Sequence, residues 1–415
     1  YMKKTEQKYQ TYVQILKEEL IPAMGCTEPI SLAYGASLAR KVLNHLPTKI
    51  VVEASGSIIK NVKSVIVPHT HHLKGIKAAV CAGIIGGNDD KYLEVLSQID
   101  EKTKKEIDQY IEKVDFEEHF LDSSKVFDYI IKVRISDSHM HVVCIEKNGK
   151  ILQKEKSIIK KEKADRSLLD IKDIYDFITT VDLIDIQEIL ERQLDYNYAI
   201  ACAGLNDNYG ANIGKVLLKS FGNDVKNKAK AYAAAGSDAR MNGCELPVVI
   251  NSGSGNQGMT CSLPVIIYAQ ELKVSKEKMF RALALSNLVA IHEKSGIGTL
   301  SAYCGAVSAA TGAGAGIAYL YDEDYQAVIH TIVNTLANVS GIVCDGAKAS
   351  CAAKIASSVD AAILGYHMYK NGQEFKSGDG LVMENVEATI QSVGRLGREG
   401  MRETNKEIIK MMIHE

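Results

Sequence analysis

Apolar residues between Thr5 and Leu20 recur at the three- and four-residue spacing of a helix with one buried face, and a second helix, Ile30 to Leu43, follows the start signal Thr27-Glu28-Pro29. Pro47 closes that unit. From Lys49 the pattern shortens to β-branched runs, Ile50 to Ala54 and Val62 to Val67, which predict strands punctuated by Gly56 and Pro68. A small-residue helix over Leu73 to Ile85 and a charged helical stretch from Asp89 to Val114 are expected next. Tyr129 to Ile135 and His141 to Glu146 read as strands, with Asn148-Gly149 as a tight turn before Lys150-Ile151-Leu152. The charge-rich segment Lys154 to Arg166 reads as a solvated linker or edge. Helical spacing then dominates: Leu168 to Leu194, Ala211 to Phe221, Asp224 to Ala235, Leu263 to Leu272, Lys276 to His292, Leu300 to Tyr321, Asp322 to Ala337 and Cys344 to Tyr369.

These elements predict an α+β protein: a mainly helical domain, residues 1–45 with 165–415, interrupted by a smaller inserted α/β domain over 46–164. A chain of 415 residues exceeds one ordinary core, which agrees with two domains. No fixed-period repeat is visible, which argues against a solenoid. Ser295 to Tyr321 holds no charged residue, yet its Gly, Ala, Ser and Thr content lacks the apolar bulk of a membrane span. It reads as a buried helix at the centre of the helical domain.

Charge changes the picture mainly by exclusion. A formal net charge of -2 offers no concentrated basic face for nucleic acid or an anionic membrane, so a small neutral or zwitterionic substrate is expected. The nine cysteines follow no charged and then apolar leader-like stretch, so reduced thiols and a cytoplasmic location are expected rather than a disulfide framework. The uncharged Gly/Ala-rich helices would permit close packing within one chain or in a homo-oligomer.

Three cysteines, Cys304, Cys344 and Cys351, stand in small-residue surroundings, and Cys26 stands at the start of the second helix. Cys344 and Cys351 are seven residues apart, which is two turns on one face of a helix; the alternative is a loop around Cys344 turned by Gly341 and Gly346. Either arrangement can present two thiolates to one iron-sulfur cluster, and so can a quiet core of buried cysteines be written this way. No Cys-x-x-Cys occurs, which excludes a standard zinc site and a ferredoxin-type run.

The segments Gly25-Cys26-Thr27-Glu28-Pro29, Ala234 to Met241, Asn251-Ser252-Gly253-Ser254-Gly255-Asn256-Gln257-Gly258, Gly341 to Lys348 and Cys351 together resemble the L-cysteine desulfidase family, related to the α chain of iron-sulfur L-serine dehydratases. The resemblance implies a pyridoxal-phosphate-independent lyase that converts L-cysteine to pyruvate, hydrogen sulfide and ammonia with a [4Fe-4S] cluster. It implies Cys304, Cys344 and Cys351 as ligands and Cys26 as proton acceptor. L-serine dehydratase is the alternative activity, and a non-catalytic redox or iron sensor is the alternative of another class. Independently, a thiol at a helix N-terminus is expected to have a lowered pKa.

Gly253-Ser254-Gly255-Asn256-Gln257-Gly258 also fits G-x-G-x-x-G, but Glu271 comes too early and no βαβ pattern surrounds it. Ser252, Gly253, Ser254, Gly255 and Asn256 are expected to cradle a substrate carboxylate instead. Arg240 could fork onto that carboxylate or pair with Asp238. His69, His71 and His72 follow an apparent strand with no evident carboxylate nearby, and no role is assigned to them. His292, Glu293 and Lys294 could cap a helix end or supply acid catalysis. Cys81, Cys144, Cys202, Cys244 and Cys261 read as core.

Overall fold

The computed structural model describes residues 2–123, 128–135, 141–147, 150–152, 163–298, 301–322 and 324–413, without side-chain detail for 141–152. The Asn148-Gly149 turn, the side chain of Cys144 and residues 154–162 of the charged segment lie outside the described part. In chain order the first elements are α1 (Gln7–Glu19), β1 (Pro22–Met24), α2 (Thr27–Leu43), β2 (Lys49–Ala54), α3 (Gly56–Val62), α4 (Gly75–Gly86), α5 (Glu101–Lys113), β3 (Asp115–Phe120), β4 (Asp128–Arg134), β5 (His141–Lys147) and β6 (Lys150–Leu152). There follow α6 (Ile171–Thr180), α7 (Gln187–Asn206), α8 (Ile213–Phe221), α9 (Val225–Met241), β7 (Pro247–Val249), α10 (Gly255–Glu271), α11 (Lys276–Ile297), α12 (Gly305–Asp322), α13 (Tyr325–Asn338), α14 (Cys351–Lys370), α15 (Val386–Arg395) and α16 (Arg402–Ile413). This is the expected α+β class with a mainly helical part.

The small-residue helix α12, uncharged up to Tyr321, is the axis of the helical part, packed on α10, α11, α13 and α14. Small residues make that possible: a Cβ at Gly312 would stand 2.3 Å from the Ser286 carbonyl oxygen, so any larger residue would force the two helices apart. Around it lies one continuous apolar core reaching from Leu16 in α1 to Val393 in α15. Several helix starts are set by side-chain caps, with Asp224, Ser254, Ser275 and Asp324 accepting from the first-turn backbone.

The second core is separate. A five-stranded sheet of order β3-β2-β4-β5-β6 pairs β2 with β3 in parallel and is antiparallel elsewhere. Along β2 the alternation is clean, with Ile50, Val52 and Ala54 fully buried and the residues between them half-buried, and α2 and α4 belong to the same core. Thus Ile30, Leu32 and Ala33 of α2 pack with the sheet, and the chain before residue 45 is shared between the two cores.

Some expected elements differ. Gly56–Val62 is a helix, and the run Val62 to Val67, expected as a strand, ends that helix and makes only an isolated bridge from Ile66 to Lys74. Ile58 and Val62 lie four apart and are both fully buried, so Val62 belongs to a helical face rather than to a strand alternation. The stretch Asp89 to Val114 breaks into a short 3-10 segment and α5, and Leu168 to Leu194 breaks at Val181 into α6 and α7. Strand β3 and helices α15 and α16 were not foreseen.

Candidate functional site

Tyr303 and Val343 form an isolated antiparallel bridge, with Cys304 N donating to Ile342 O (2.9 Å) and Cys344 N donating to Ala302 O (2.7 Å). Side chains alternate across such a pair, so Cys304 and Cys344 fall on the face opposite Tyr303 and Val343. The two thiols lie close enough to perturb each other. The chain then turns at Gly346 (φ +100°), where a Cβ would stand 2.3 Å from the Lys60 carbonyl oxygen, and enters α14 at Cys351. Cys344 and Cys351 therefore do not share one helix; the loop alternative holds. Cys351 packs with Cys26, Val65, Met241 and Ala347. Cys304, Cys344 and Cys351 are close enough to act on one another, and three of the four thiols stand at helix starts: Cys26 before α2, Cys304 before α12 and Cys351 opening α14. Helix N-termini favour negative charge there.

Two lysines that the sequence reading passed over or left open flank the thiols. Lys60, 1% exposed, donates to Cys344 O (3.3 Å) and Asn405 Oδ1 (2.9 Å), tying α3 and α16 to the cysteine loop. Lys294, 8% exposed on α11, lies close enough to Cys304 and Cys344 for their charges to act on one another. Cys344 is held well below the usual thiol range by its pairing with Cys304, helped by Lys60, the Gly346 N–H and Lys294 against the effect of burial. Cys304 is pushed up by its pairing with Cys344 and by burial. Burial also raises Cys351.

Cys26 departs from expectation. It precedes α2 as foreseen, but it is 3% exposed, and burial followed by the Glu28 charge pushes its thiol far up, with Arg240 acting only partly against them. Its Sγ donates to Glu28 Oε2 at 3.0 Å, and Thr27 Oγ1 meets the same oxygen at 3.0 Å. Desolvation and the carboxylate outweigh the helix dipole here, so Cys26 rests as a thiol.

The antiparallel ribbon of β1 and β7 brings the Cys26 segment beside the Ser252 to Asn256 turn. Thr27 Oγ1 donates to Gly253 O (3.0 Å), while Arg240 donates from Nε to Gly25 O (3.0 Å) and from Nη1 to Asn256 Oδ1 (3.1 Å). No ion pair joins Arg240 to Asp238, which instead accepts from Gly214 N (3.0 Å). Ser252 holds φ +50° with its Oγ on Asn251 Oδ1 (2.8 Å), Gly253 holds φ +78°, and Ser254 caps α10. Asn251 is anchored below by a fully buried network with Asn287 and Gln193. Gly255 admits no side chain, since its Cβ would stand 2.3 Å from Arg240 Nε.

The remaining candidates separate from this cluster. His71 is exposed and paired with Asp108 and Glu101, and His69 lies against Met24 Sδ (2.8 Å) with Glu245 at 3.5 Å, so carboxylates do attend these histidines; His72 holds φ +58°. His292 pairs with Glu387 (2.8 Å). Glu293, 2% exposed near Tyr303 and Ser308, is kept protonated by burial. Cys81, Cys244 and Cys261 are buried as expected, but Cys202 is only half-buried. A cleft of about 520 Å³ is lined by Lys8, Arg166, His292 and Glu387 and by none of the cysteines; its charges pair with one another or with adjacent carboxylates.

The chemistry of the donors is compatible with an iron-sulfur cluster: Cys304 and Cys344 offer soft thiols from one face of their bridge, Cys351 lies near enough to act on both, and buried amines stand beside the first two. Among the described residues no three His, Cys, Asp or Glu side chains lie close enough to hold one metal ion. A four-iron cluster makes a weaker demand, because each thiolate binds a different iron.

A thiol-rich centre facing a cysteine-carboxylate pair defines a class of proteins rather than one activity. The match to the family described as serine dehydratase alpha chain covers residues 90–410, and the chain belongs to that family. It is 55% identical to a UPF0597 protein of Desulfitobacterium hafniense, with 100% of this chain and 99% of the relative covered. It is also 50% identical to a UPF0597 protein of Lachnoclostridium phytofermentans (98% and 100% covered) and 44% identical to one of Treponema denticola (98% of each). At the family level this supports a lyase-type enzyme of amino-acid catabolism. No helix among the described residues is long and apolar enough to cross a membrane.

Proposed function

We propose that the protein is an iron-sulfur L-cysteine desulfidase, catalysing β-elimination of L-cysteine to pyruvate, hydrogen sulfide and ammonia. The observation that carries the reading is the proximity of Cys304 and Cys344 to each other and to two buried lysines, with Cys351 acting on both and sharing an apolar cluster with Cys26. Cys304, Cys344 and Cys351 would hold a [4Fe-4S] cluster, which supplies Lewis acidity through an iron without a protein thiolate.

The chain's own residues handle the proton. Cys26 rests as a thiol and must lose its proton before accepting another; Glu28 Oε2, at 3.0 Å, is the acceptor in place. The resulting thiolate takes the Cα proton of the substrate. The Cα–H electron pair becomes the Cα=Cβ bond, the Cβ–S bond breaks, and the sulfur leaves as HS⁻. Aminoacrylate then tautomerises to an imine and hydrolyses to pyruvate and ammonia. The Ser252 to Asn256 turn, fixed over the Cys26 segment by Thr27 and Arg240, would orient the substrate through its backbone N–H groups.

L-Serine dehydration by the same steps, with hydroxide leaving, is the second reading, favoured by the family's own description. Protein purified without oxygen and offered L-cysteine, L-serine and L-threonine decides between them by pyruvate and sulfide release. L-Cysteine is expected to give both products. Intact cluster with no product from any amino acid would sink the enzyme reading.

A further inference from the structure

Two buried polar groups beside Cys304 lack what they need. The side chain of Lys294 makes no ion pair or hydrogen bond with any described residue although it is only 8% exposed. Lys60 differs, because its ammonium is already held by Cys344 O and Asn405. Gln257, 7% exposed, carries an Oε1 with no donor among the described residues. Its carboxamide lies against Gly305: a Cβ there would stand 2.5 Å from Gln257 Cδ, so the amide occupies space that only glycine leaves open next to Cys304.

An amine set among thiols with no oxygen partner among the described residues, which burial pushes towards its neutral form, and a buried carbonyl oxygen without a donor both leave polar groups under-satisfied. Their needs are opposite in sign, and an α-amino acid carries both complements on one carbon. The thiolates alone would not satisfy both lysines, because three of them on a [4Fe-4S]2+ core would keep only a single net negative charge against two ammonium groups. Glu293 does not serve either, since burial keeps its carboxyl neutral.

We infer that Lys294 and Gln257 recognise the two ends of the amino-acid substrate, Lys294 binding its carboxylate and Gln257 Oε1 accepting from its α-ammonium. This rests on the lyase reading and adds the basis of its selectivity for α-amino acids. It makes both groups substrate-binding residues distinct from the proton-transferring Cys26.

The test uses anaerobically prepared protein with its cluster in place and follows two signals, iron content and the change in the cluster's absorbance and paramagnetic spectrum on titration. The probes are L-cysteine, 3-mercaptopropionate, which lacks the amino group, and cysteamine, which lacks the carboxylate. Lys294→Gln should keep its iron and weaken L-cysteine and 3-mercaptopropionate on the order of tenfold to a thousandfold while leaving cysteamine unchanged. Lys294→Arg should recover part of that loss. Gln257→Leu should weaken L-cysteine and cysteamine roughly tenfold to a hundredfold and spare 3-mercaptopropionate. Equal weakening of all three probes by Lys294→Gln, or loss of iron from both Lys294 variants, would make Lys294 a cluster-charge residue and overturn the inference. Wild-type protein that answers no amino acid by spectrum or turnover would instead bring down the lyase reading itself, and the inference with it.

Discussion

Cys81 and Cys344 are the same residue in two settings of one molecule. Cys81 sits fully buried on α4 in the sheet-backed core, where desolvation pushes its thiol up to about 12. Cys344 sits in a loop where a second thiol, a backbone N–H and two ammonium groups hold it down despite desolvation. The difference teaches that the company of a thiol, more than its burial, decides whether it packs or reacts. The α/β core supplies apolar company, and the cysteine face supplies charge.

The strongest way to break this comparison is to remove the thiolate. Cys344→Ser should abolish bound iron, the cluster's absorbance and turnover together; a variant that keeps its iron would end the ligand assignment. Removing the proton-transfer thiol should act differently. Cys26→Ser is expected to retain cluster absorbance while turnover falls on the order of a hundredfold to ten-thousandfold. Unchanged turnover in that variant would exclude Cys26 from the chemistry, whereas parallel loss of iron would recast it as a ligand.

Much of the candidate site is marked in the sequence because cysteines and glycine turns carry a signature. Cys26 before Thr27-Glu28-Pro29, the glycine turn from Ser252 to Asn256, and the pattern around Cys344 could all be seen in the chain, and the structure brings them together. Local period also gave most helices, because each buries one face. It failed where tertiary packing outweighed local preference: β-branched residues suggested a strand from Val62 to Val67, but Val62 closes the helix that sets Lys60 against the cysteine loop, and only Ile66 makes a bridge. The seven-residue spacing of Cys344 and Cys351 allowed one helix, but the close approach of the Lys60 carbonyl at Gly346 requires a turn. A buried lysine leaves no mark in sequence, and neither does a carboxylate that keeps a nearby thiol protonated. Lys60 is found only in three dimensions, and Glu28, visible in the helix-start motif, shows its pairing with Cys26 only there.

Asp238 offers a smaller effect and extends the comparison to a carboxylate. It is fully buried on α9, and burial pushes it up to about 6 although the Gly214 and Ile213 N–H groups act in the other direction. An unfolded Asp titrates near ~3.9. The native state therefore holds the proton more tightly, so this contribution to stability is fully present below about pH 4 and is lost as pH rises to about 6, a change of about 3 kcal/mol. Subtracting denaturant unfolding curves of Asp238→Asn from those of wild type between pH 4 and 7 should isolate that slope. A flat difference would mean that Asp238 titrates normally and that burial alone does not govern it.

The smallest expected effect belongs to the quiet thiol. Cys81 has apolar neighbours in the core of α2, α4 and the sheet, so its sulfur contributes packing and nothing that depends on charge. Cys81→Ala removes one buried atom, and the expected cost is about 1 kcal/mol in a denaturant melt, with iron content and turnover unchanged. Cys344→Ser, an equally modest change in volume, is expected to do the reverse, sparing the fold while losing the metal. If Cys81→Ala also lost iron, the two cores would be coupled through α3 and Lys60 more tightly than their separate packing implies, and the contrast between the two regions would fall with it.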